Sequence, residues 1–200
     1  MADTQKAAST IGLKNVVIAP VVSDTDDETT YGEITPVSGA IEASVTPGTT
    51  DPEIQHADDS EYDVVYPDPE IEFRTRMVDL PLNVQKMLFS HVIDDNGVLL
   101  RHSSDKPGYF AVGFKSEKAD HTYRYVWLYK VRAKPLTENY ATKEGTTINR
   151  QTAEVEWTAI KRNSDGRYQA IADEGMNGFT AEKAKTFLST VYVPTISVGG

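Results

Sequence analysis

The sequence predicts a mainly β fold of the α+β type, built as a β-sandwich with one flanking α-helix and one long extended loop. Apolar and polar residues alternate at every second position in several segments, as they do on half-buried strands. Clusters of Gly, Pro, Asn and Asp separate these segments, and only one segment has clear helical spacing. We expect a single domain over residues 12–195, with flexible segments at 1–11 and 196–200.

Three strands are predicted in the N-terminal part of the chain. Residues 12–22 are an apolar run that predicts the first strand. In residues 38–48 the apolar side chains alternate with polar ones until Pro47 ends the strand, and residues 70–81 alternate in the same way. Each of the latter two strands therefore has one face for the core and one polar face.

The strongest helical pattern follows directly. Residues 81–92 begin with a proline suited to a first turn, and their apolar positions recur with helical spacing. The DDNG sequence at 94–97 is a turn signal, and residues 97–102 and 108–116 are predicted short strands.

Residues 121–133 are the most aromatic segment, and their spacing fits two interpretations. Aromatic residues alternate with Arg124, Lys130 and Arg132, so the segment is a strand with one aromatic face. A sheet that stacks nucleic-acid bases needs positive charge beside its aromatic residues. Here the arginine and lysine side chains lie on the face opposite the aromatic residues. We therefore expect the aromatic face to be buried and the mixed opposite face to contact another subunit. The expected core anchors are Tyr125, Trp127, Tyr129 and Trp157.

A hairpin, a short helix and a last strand are predicted in the C-terminal part. Residues 146–162 include a segment that alternates in polarity, and the NSDG turn signal predicts that residues 167–173 return as their hairpin partner. Thr180 is a candidate N-cap for a helix over residues 181–188, and residues 189–193 are expected to form the final strand.

Acidic residues are concentrated near the N-terminus. The formal net charge is −10, and residues 15–73 contain fifteen Asp and Glu but no Lys or Arg, so the remainder has an excess of bases. The net charge has the wrong sign for a protein that grips phosphate backbones. Residues 48–69, called the arm below, are either a solvated loop or a surface that meets the basic part of another copy.

The sequence has no recognisable catalytic or metal site. It lacks cysteine, and its four histidines show no pair at metal-ligand spacing. Thr29 stands where a calcium loop beginning at Asp24 would need glycine. Nucleotide-binding, hydrolase and zinc-protease motifs are also missing. We expect no enzymatic activity, no cofactor, no membrane span and no export signal.

The order of elements resembles the major tail proteins of long-tailed, non-contractile phages and prophages of Gram-positive bacteria. The resemblance covers residues 12–193 and rests on GLKNVVIA, YGEITPVSGAIEASVTP, ADDS, VDLPLNVQKMLFSH, YFAVGF and YRYVWLYKVRAKP. We expect no additional immunoglobulin-like domain of the kind that some relatives have, and the KAAST leader differs from the shortest members.

The resemblance implies a structural virion protein, assembled in the host cytoplasm and located in the phage tail. Six copies would form a ring whose inner sheets join into a continuous barrel, and stacked rings would form the tube through which double-stranded DNA is ejected. The implied partners are further copies of the chain, a tape measure protein, tail terminator and baseplate proteins, and the DNA, which passes without specific binding.

Two sets of residues acquire roles through this resemblance. The candidate lumen-facing residues lie on the polar sides of the long strands: Glu42, Ser44, Thr46, Glu70, Glu72, Arg74, Thr152, Glu154 and Glu156. The candidate ring-stacking residues lie in the arm: Glu53, Asp58, Asp59, Glu61, Tyr62, Val64, Val65 and Tyr66. A mostly acidic lumen would repel DNA phosphates and let the genome slide. The alternative function is a virion decoration or receptor-contacting β-sandwich binding module.

Overall fold

The computed structural model describes residues 8–48, 53–57, 60–65, 70–138, 140, 142 and 152–194. The described chain is mainly β, in agreement with the sequence prediction. Its elements are β1 (Thr10–Asp24), β2 (Thr29–Tyr31), β3 (Thr35–Val37), β4 (Ala40–Pro47), β5 (Glu53–Ala57), β6 (Ser60–Val65), β7 (Ile71–Met77), α1 (Leu82–Phe89), β8 (Val92–Ile93), β9 (Leu99–Leu100), β10 (Phe110–Lys118), β11 (Tyr123–Ala133), β12 (Ala153–Ala159), β13 (Gln169–Asp173) and α2 (Ala181–Thr186).

One large antiparallel sheet organises the fold. Its strands follow the order β2-β1-β10-β11-β12-β7-β4, with β3 also paired to β1 and β13 also paired to β11. Two separate hairpins, β5–β6 and β8–β9, lie outside this sheet. The sheet does not close into a barrel within the described residues.

The predicted hairpin between β12 and β13 is wrong. Both strands pair with β11, β12 opposite residues 131–133 and β13 opposite residues 124–128. Residues 160–168 are therefore an excursion between two parts of one interrupted ladder. The excursion is anchored to Asp24, which accepts hydrogen bonds from the Asn163 backbone N–H at 3.1 and 3.3 Å, and to Thr29, whose hydroxyl lies 2.7 Å from Ser164 Oγ.

The main core forms where the sheet folds over itself. The rings of Phe73 on β7 and Phe114 on β10 are stacked with centroids 6.2 Å apart, although β11 and β12 separate these strands in the sheet. Trp157 packs against Phe73 at 5.9 Å, and the core also includes Val126 and Leu128 from β11. Alternating apolar residues on several strands thus meet in one cluster that excludes water.

A second core covers the opposite face of β10 and β11. Tyr125, Trp127 and Tyr129 pack there with Ala184 and Phe187 from the α2 region. The four expected core anchors, Tyr125, Trp127, Tyr129 and Trp157, are between 0% and 5% exposed. The expectation that the opposite face of β11 contacts another subunit is wrong, because that face belongs to the main core of the same chain.

Both helices are shorter than predicted. Helix α1 ends where Ser90 adopts a left-handed conformation with φ of 58°, so Val92 lies on β8 and is 58% exposed instead of completing a helical stripe. Thr180 caps α2 as predicted, since its hydroxyl accepts a hydrogen bond from Lys183 N at 3.4 Å. Residues 189–193 do not form the predicted strand.

Candidate interaction surface

The polar sides of β4, β7 and β12 form one continuous surface, called the polar face below. The strands are antiparallel neighbours, so directly opposite residues lie on the same side of the sheet. The cross-strand rows are Glu42–Arg76–Glu154, Ser44–Arg74–Glu156 and Thr46–Glu72–Thr158. The other sides of β7 and β12 supply buried residues to the main core.

Eight of the nine candidate lumen-facing residues are brought together at this face. Seven of them belong to the rows, and Glu70 directly precedes β7 and is exposed. Thr152 precedes β12 and is exposed but belongs to none of the rows. Ile41, which alternation placed on the buried side of β4, is 43% exposed because the register is irregular between Ala40 and Glu42.

The polar face carries a more balanced charge than the mostly acidic surface that was expected for a lumen. Arg76 binds Glu42 at 2.7 Å, and Arg74 lies 3.4 Å from Glu72 and 3.6 Å from Glu156. Lys134 adds a third cation, 3.9 Å from Glu72 and 3.7 Å from Glu156. Five carboxylates thus share the surface with three cations.

Two of these cations were absent from the set predicted at the surface. Arg76 could have been found from the sequence, since it follows Arg74 at the period of a strand. Lys134 could not have been found in this way, because it follows the aromatic strand β11. Its position beside the polar face depends on the fold, in which its backbone N–H donates to Glu156 O at 2.7 Å.

Two hydrogen-bond contacts of Thr75 lie on the buried side of the strands that form the polar face. Thr75 is 1% exposed, and its hydroxyl accepts a hydrogen bond from Trp157 Nε1 at 3.0 Å. The same hydroxyl lies 3.5 Å from the Val155 carbonyl oxygen. Because this hydroxyl satisfies the indole N–H, the apolar side of β7 and β12 can include one threonine without leaving a buried donor unpaired.

The arm contains an antiparallel hairpin between β5 and β6, which runs from Glu53 opposite Val65 to Ala57 opposite Ser60 with a shift of register between Gln55 and His56. Among the candidate stacking residues, five occur on these strands: Glu53, Glu61, Tyr62, Val64 and Val65. Asp58, Asp59 and Tyr66 lie outside the described residues. At the arm's start, Gly48 N donates to Glu70 O at 2.7 Å, and a Cβ on Gly48 would lie only 2.6 Å from that oxygen. Only glycine fits there.

The bases that could meet the arm of another copy include Lys134, Lys143, Arg150, Lys161, Arg162 and Arg167. Some of them are engaged within the chain. Arg162 is 2% exposed, binds Asp165 and lies 3.8 Å from the centre of the Tyr129 ring, so it is unavailable to a partner. Arg167 binds the same Asp165 carboxylate at 3.0 Å. Lys143 and Arg150 lie outside the described residues.

An aromatic cavity of about 510 Å³ opens between β11 and the α2 region. Tyr123, Tyr125 and Phe179 line it together with charged residues, which are Lys115, Glu174 and Lys185. Tyr125 donates its hydroxyl hydrogen bond to Glu174 Oε1 at 2.8 Å, and Lys115 lies 4.5 Å from the Tyr123 ring centre. Burial, followed by the bond to Glu174, raises the pKa of Tyr125, so its phenol stays protonated.

Two histidines meet Asp105 near α1, although they are distant from each other in the sequence. His91 Nδ1 lies 2.9 Å from Asp105 Oδ2, and the His102 backbone N–H donates to the same oxygen at 2.8 Å. The His102 ring instead contacts Ser104 Oγ at 2.7 Å, so Asp105 does not orient it as a catalytic base would require. Within the described ranges, no group of three or more His, Asp or Glu side chains could hold a metal ion.

Comparison with known proteins assigns no family to the chain. No protein-family model matches it, and no curated protein matches it. The described helices include none that is long and apolar enough to cross a membrane.

Proposed function

We propose that the protein is a tail tube subunit that assembles as stacked hexameric rings and forms the conduit for DNA ejection. The observation that carries this proposal is the polar face, a broad charged surface built on three long strands whose other sides supply the core. Alternating charged residues across adjacent strands suit a wet inner wall better than a ligand pocket, because ligand pockets are lined predominantly by hydrophobic and aromatic side chains.

The ends of the large sheet support assembly into a ring. Strand β4 pairs only with β7 among the described residues, so its outer edge presents unpaired backbone donors and acceptors. An exposed edge strand of eight residues is a template for pairing with another chain. In our proposal, neighbouring subunits cover this edge and the six inner sheets, each part of a sandwich-like subunit, join into one barrel.

The arm supports stacking of one ring on the next. It contains the β5–β6 hairpin, which lies between β4 and β7 in the chain, and residues 49–69 contain no Lys or Arg. A contact between the arm and a different patch on the next ring is heterologous, and a heterologous contact that does not close grows into a filament. The resemblance to phage tail proteins adds the tape measure, terminator and baseplate proteins as partners and the virion as the location.

The polar face would make the lumen weakly acidic. Its carboxylates outnumber its cations, and all three cations already lie within ion-pair distance of carboxylates. Phosphates that pass along such a wall meet few free positive charges, so DNA slides without being held.

Electron microscopy of the purified chain tests this proposal. We expect hollow filaments of uniform diameter that show sixfold rings in cross-section. A variant that lacks residues 53–66 should keep its fold, because the deletion removes only the separate hairpin, but it should no longer form filaments. If the full-length chain remains monomeric at high concentration, the proposal fails.

The aromatic cavity favours a second function, that of a virion decoration or receptor-contacting module. Its volume is within the range of ligand sites, and it combines three aromatic rings with a carboxylate and two ammonium groups. Binding of a host-surface glycan by a monomeric chain, abolished by Phe179→Ala, would favour this alternative over the tube.

A further inference from the structure

The described chain contains two Asn-Gly pairs, Asn96–Gly97 and Asn177–Gly178, in different kinds of turn. Asparagine before glycine is prone to deamidation, because the glycine amide nitrogen can attack the asparagine side-chain carbonyl without a Cβ in the way. The attacking nitrogen must first lose its proton. A hydrogen bond that holds this N–H, or holds the side-chain amide, therefore protects the pair.

The first pair is held at both reacting groups. Gly97 N donates to Asp94 O at 3.0 Å, so the nucleophilic N–H closes the turn over residues 94–97. The Asp94 carboxylate also accepts from Asn96 Nδ2 at 3.3 Å and from Asn96 N at 2.9 Å. These bonds fix the amide group that would have to rotate and leave.

Asn177 and Gly178 occupy different positions in their turn from those of Asn96 and Gly97. Phe179 N donates to Met176 O at 3.0 Å, so Asn177 and Gly178 are the two central residues, and Gly178 has a φ of 88° that suits the third position of a type II turn. Among the described residues, the Gly178 N–H donates to no backbone carbonyl. Asn177 is exposed to water.

A nearby cation favours the reaction at the second pair. Lys183 Nζ donates to Gly178 O at 2.8 Å, so an ammonium charge lies beside the same residue whose amide must become an anion. A positive charge lowers the free energy of a nearby anion and raises the fraction of deprotonated amide.

We propose that Asn177 is a self-modification site of the folded protein and that Asn96 is protected. The Gly178 nitrogen bonds to Asn177 Cγ, the Cγ–Nδ2 bond breaks, and Nδ2 leaves as ammonia with the proton from the amide. Water then opens the resulting succinimide at either carbonyl and yields aspartate or isoaspartate. Either product adds a negative charge between β13 and α2, and isoaspartate also adds a backbone methylene there.

The test is incubation of the full-length chain at mildly alkaline pH, followed by trypsin digestion and mass spectrometry. Asn177 falls in the peptide 168–183 and Asn96 in the peptide 87–101, and each peptide contains no other asparagine. We expect the 168–183 peptide to gain the mass of deamidation at least several-fold faster than the 87–101 peptide. In urea, which removes both turns, the two rates should become similar.

Two variants identify the reacting groups. Asn177→Gln lengthens the side chain, so the five-membered ring cannot form and the mass gain in peptide 168–183 should disappear. Lys183→Gln should slow the reaction at Asn177, which trypsin then releases in the peptide 168–185, and leave Asn96 unchanged. Equal native rates for the two peptides, faster reaction at Asn96, or an undiminished mass gain in Asn177→Gln would each overturn the proposal.

Discussion

Strands β7 and β11 have similar sequences but very different surroundings. Both place mainly apolar or aromatic residues at alternate positions, and both include arginine or lysine among the residues between them. On β7 the alternation matches exposure, since Phe73 is buried and Arg74 and Arg76 are exposed. On β11 every residue from Tyr125 to Val131 is buried, including Lys130.

Position in the sheet accounts for this difference. Strand β11 is central, and the folded-over sheet covers one of its faces while the α2 region covers the other. Strand β7 has the main core on one side only. A period of two therefore tells which residues share a face, but it does not tell whether that face is covered.

Each cationic residue of β11 has a partner from another part of the sequence, whether it is buried, as Lys130 is, or exposed, as Arg132 is. Lys130 binds Asp24 on β1, and Arg124 binds Asp173 on β13 at 2.7 Å. Arg132 lies 4.2 Å from the centre of the Tyr109 ring. Burying a charge without a partner costs free energy, so a strand of this composition can be central in the sheet only where such partners are present.

The largest expected effect comes from removing the aromatic centre of β11. Trp127→Ala should lower the free energy of unfolding by about 3 to 5 kcal/mol, because the ring is fully buried and its Nε1 donates to Phe187 O at 2.9 Å. Urea denaturation measures this, with the exposed Arg74→Ala on β7 as the matched control. An equal, small effect of both variants would show that the two strands do not differ.

The next effect concerns the paired charges at the end of β11. Asp173 accepts from Lys118 Nζ at 2.6 Å and from Arg124, and Lys118 is 4% exposed. Asp173→Asn leaves Lys118 buried opposite a neutral amide and should cost about 3 kcal/mol. Glu154→Gln on the polar face is the control and should cost far less. If Asp173→Asn and Glu154→Gln lower the free energy of unfolding equally, the buried pair contributes no more to stability than the exposed carboxylate does.

The same carboxylate predicts how stability depends on pH. Hydrogen bonds from Arg124 and Lys118 lower the pKa of Asp173 to about 2 from an ordinary value of 3.8. Its contribution is present above pH 3.8 and is lost as pH falls from there towards 2, since the unfolded chain binds the proton first. The stability difference between the wild-type protein and Asp173→Asn should therefore narrow over this window. A constant difference would contradict the assigned pairing.

A smaller effect is expected at Gly113, which faces Trp127 across the β10–β11 ladder. A Cβ at Gly113 would lie 2.8 Å from three atoms of the indole ring, so Gly113→Ala should cost about 1 to 3 kcal/mol through overpacking. A double-mutant cycle sharpens the test. The penalty should shrink in a Trp127→Leu background, and an unchanged penalty would place its origin in the backbone instead.

The smallest effect is expected on the polar face. Arg76 and Glu42 are both about half exposed, so their pair should contribute about 0 to 1 kcal/mol to the monomer in a double-mutant cycle and less at high salt. A coupling as large as that of Asp173 would show that this face is structurally closed in the free chain and would weaken its proposed role as a wet wall.

Local sequence was sufficient for much of the fold and part of the candidate surface. The alternation in residues 70–77 and 153–159 predicted both strands and the side that each buries. Local sequence failed at β13, because NSDG is a turn signal whether the chain reverses or makes an excursion. Contacts of Asn163 and Ser164 with Asp24 and Thr29 decided for the excursion, and these partners lie more than 130 residues away.

The sequence by itself determined which residues share a strand face, where Thr180 starts a helix and that the acids cluster near the N-terminus, because these properties depend on near neighbours. Only the tertiary structure decided that both faces of β11 are buried, that Arg162 is withdrawn from the surface and that Lys134 joins the polar face. Each of these outcomes depends on which distant strand or loop packs over a residue. The alternation of polar and apolar residues along a strand is the same whether or not another element packs over it. Burial is a property of the folded chain as a whole, since it requires partners that the local sequence does not contain.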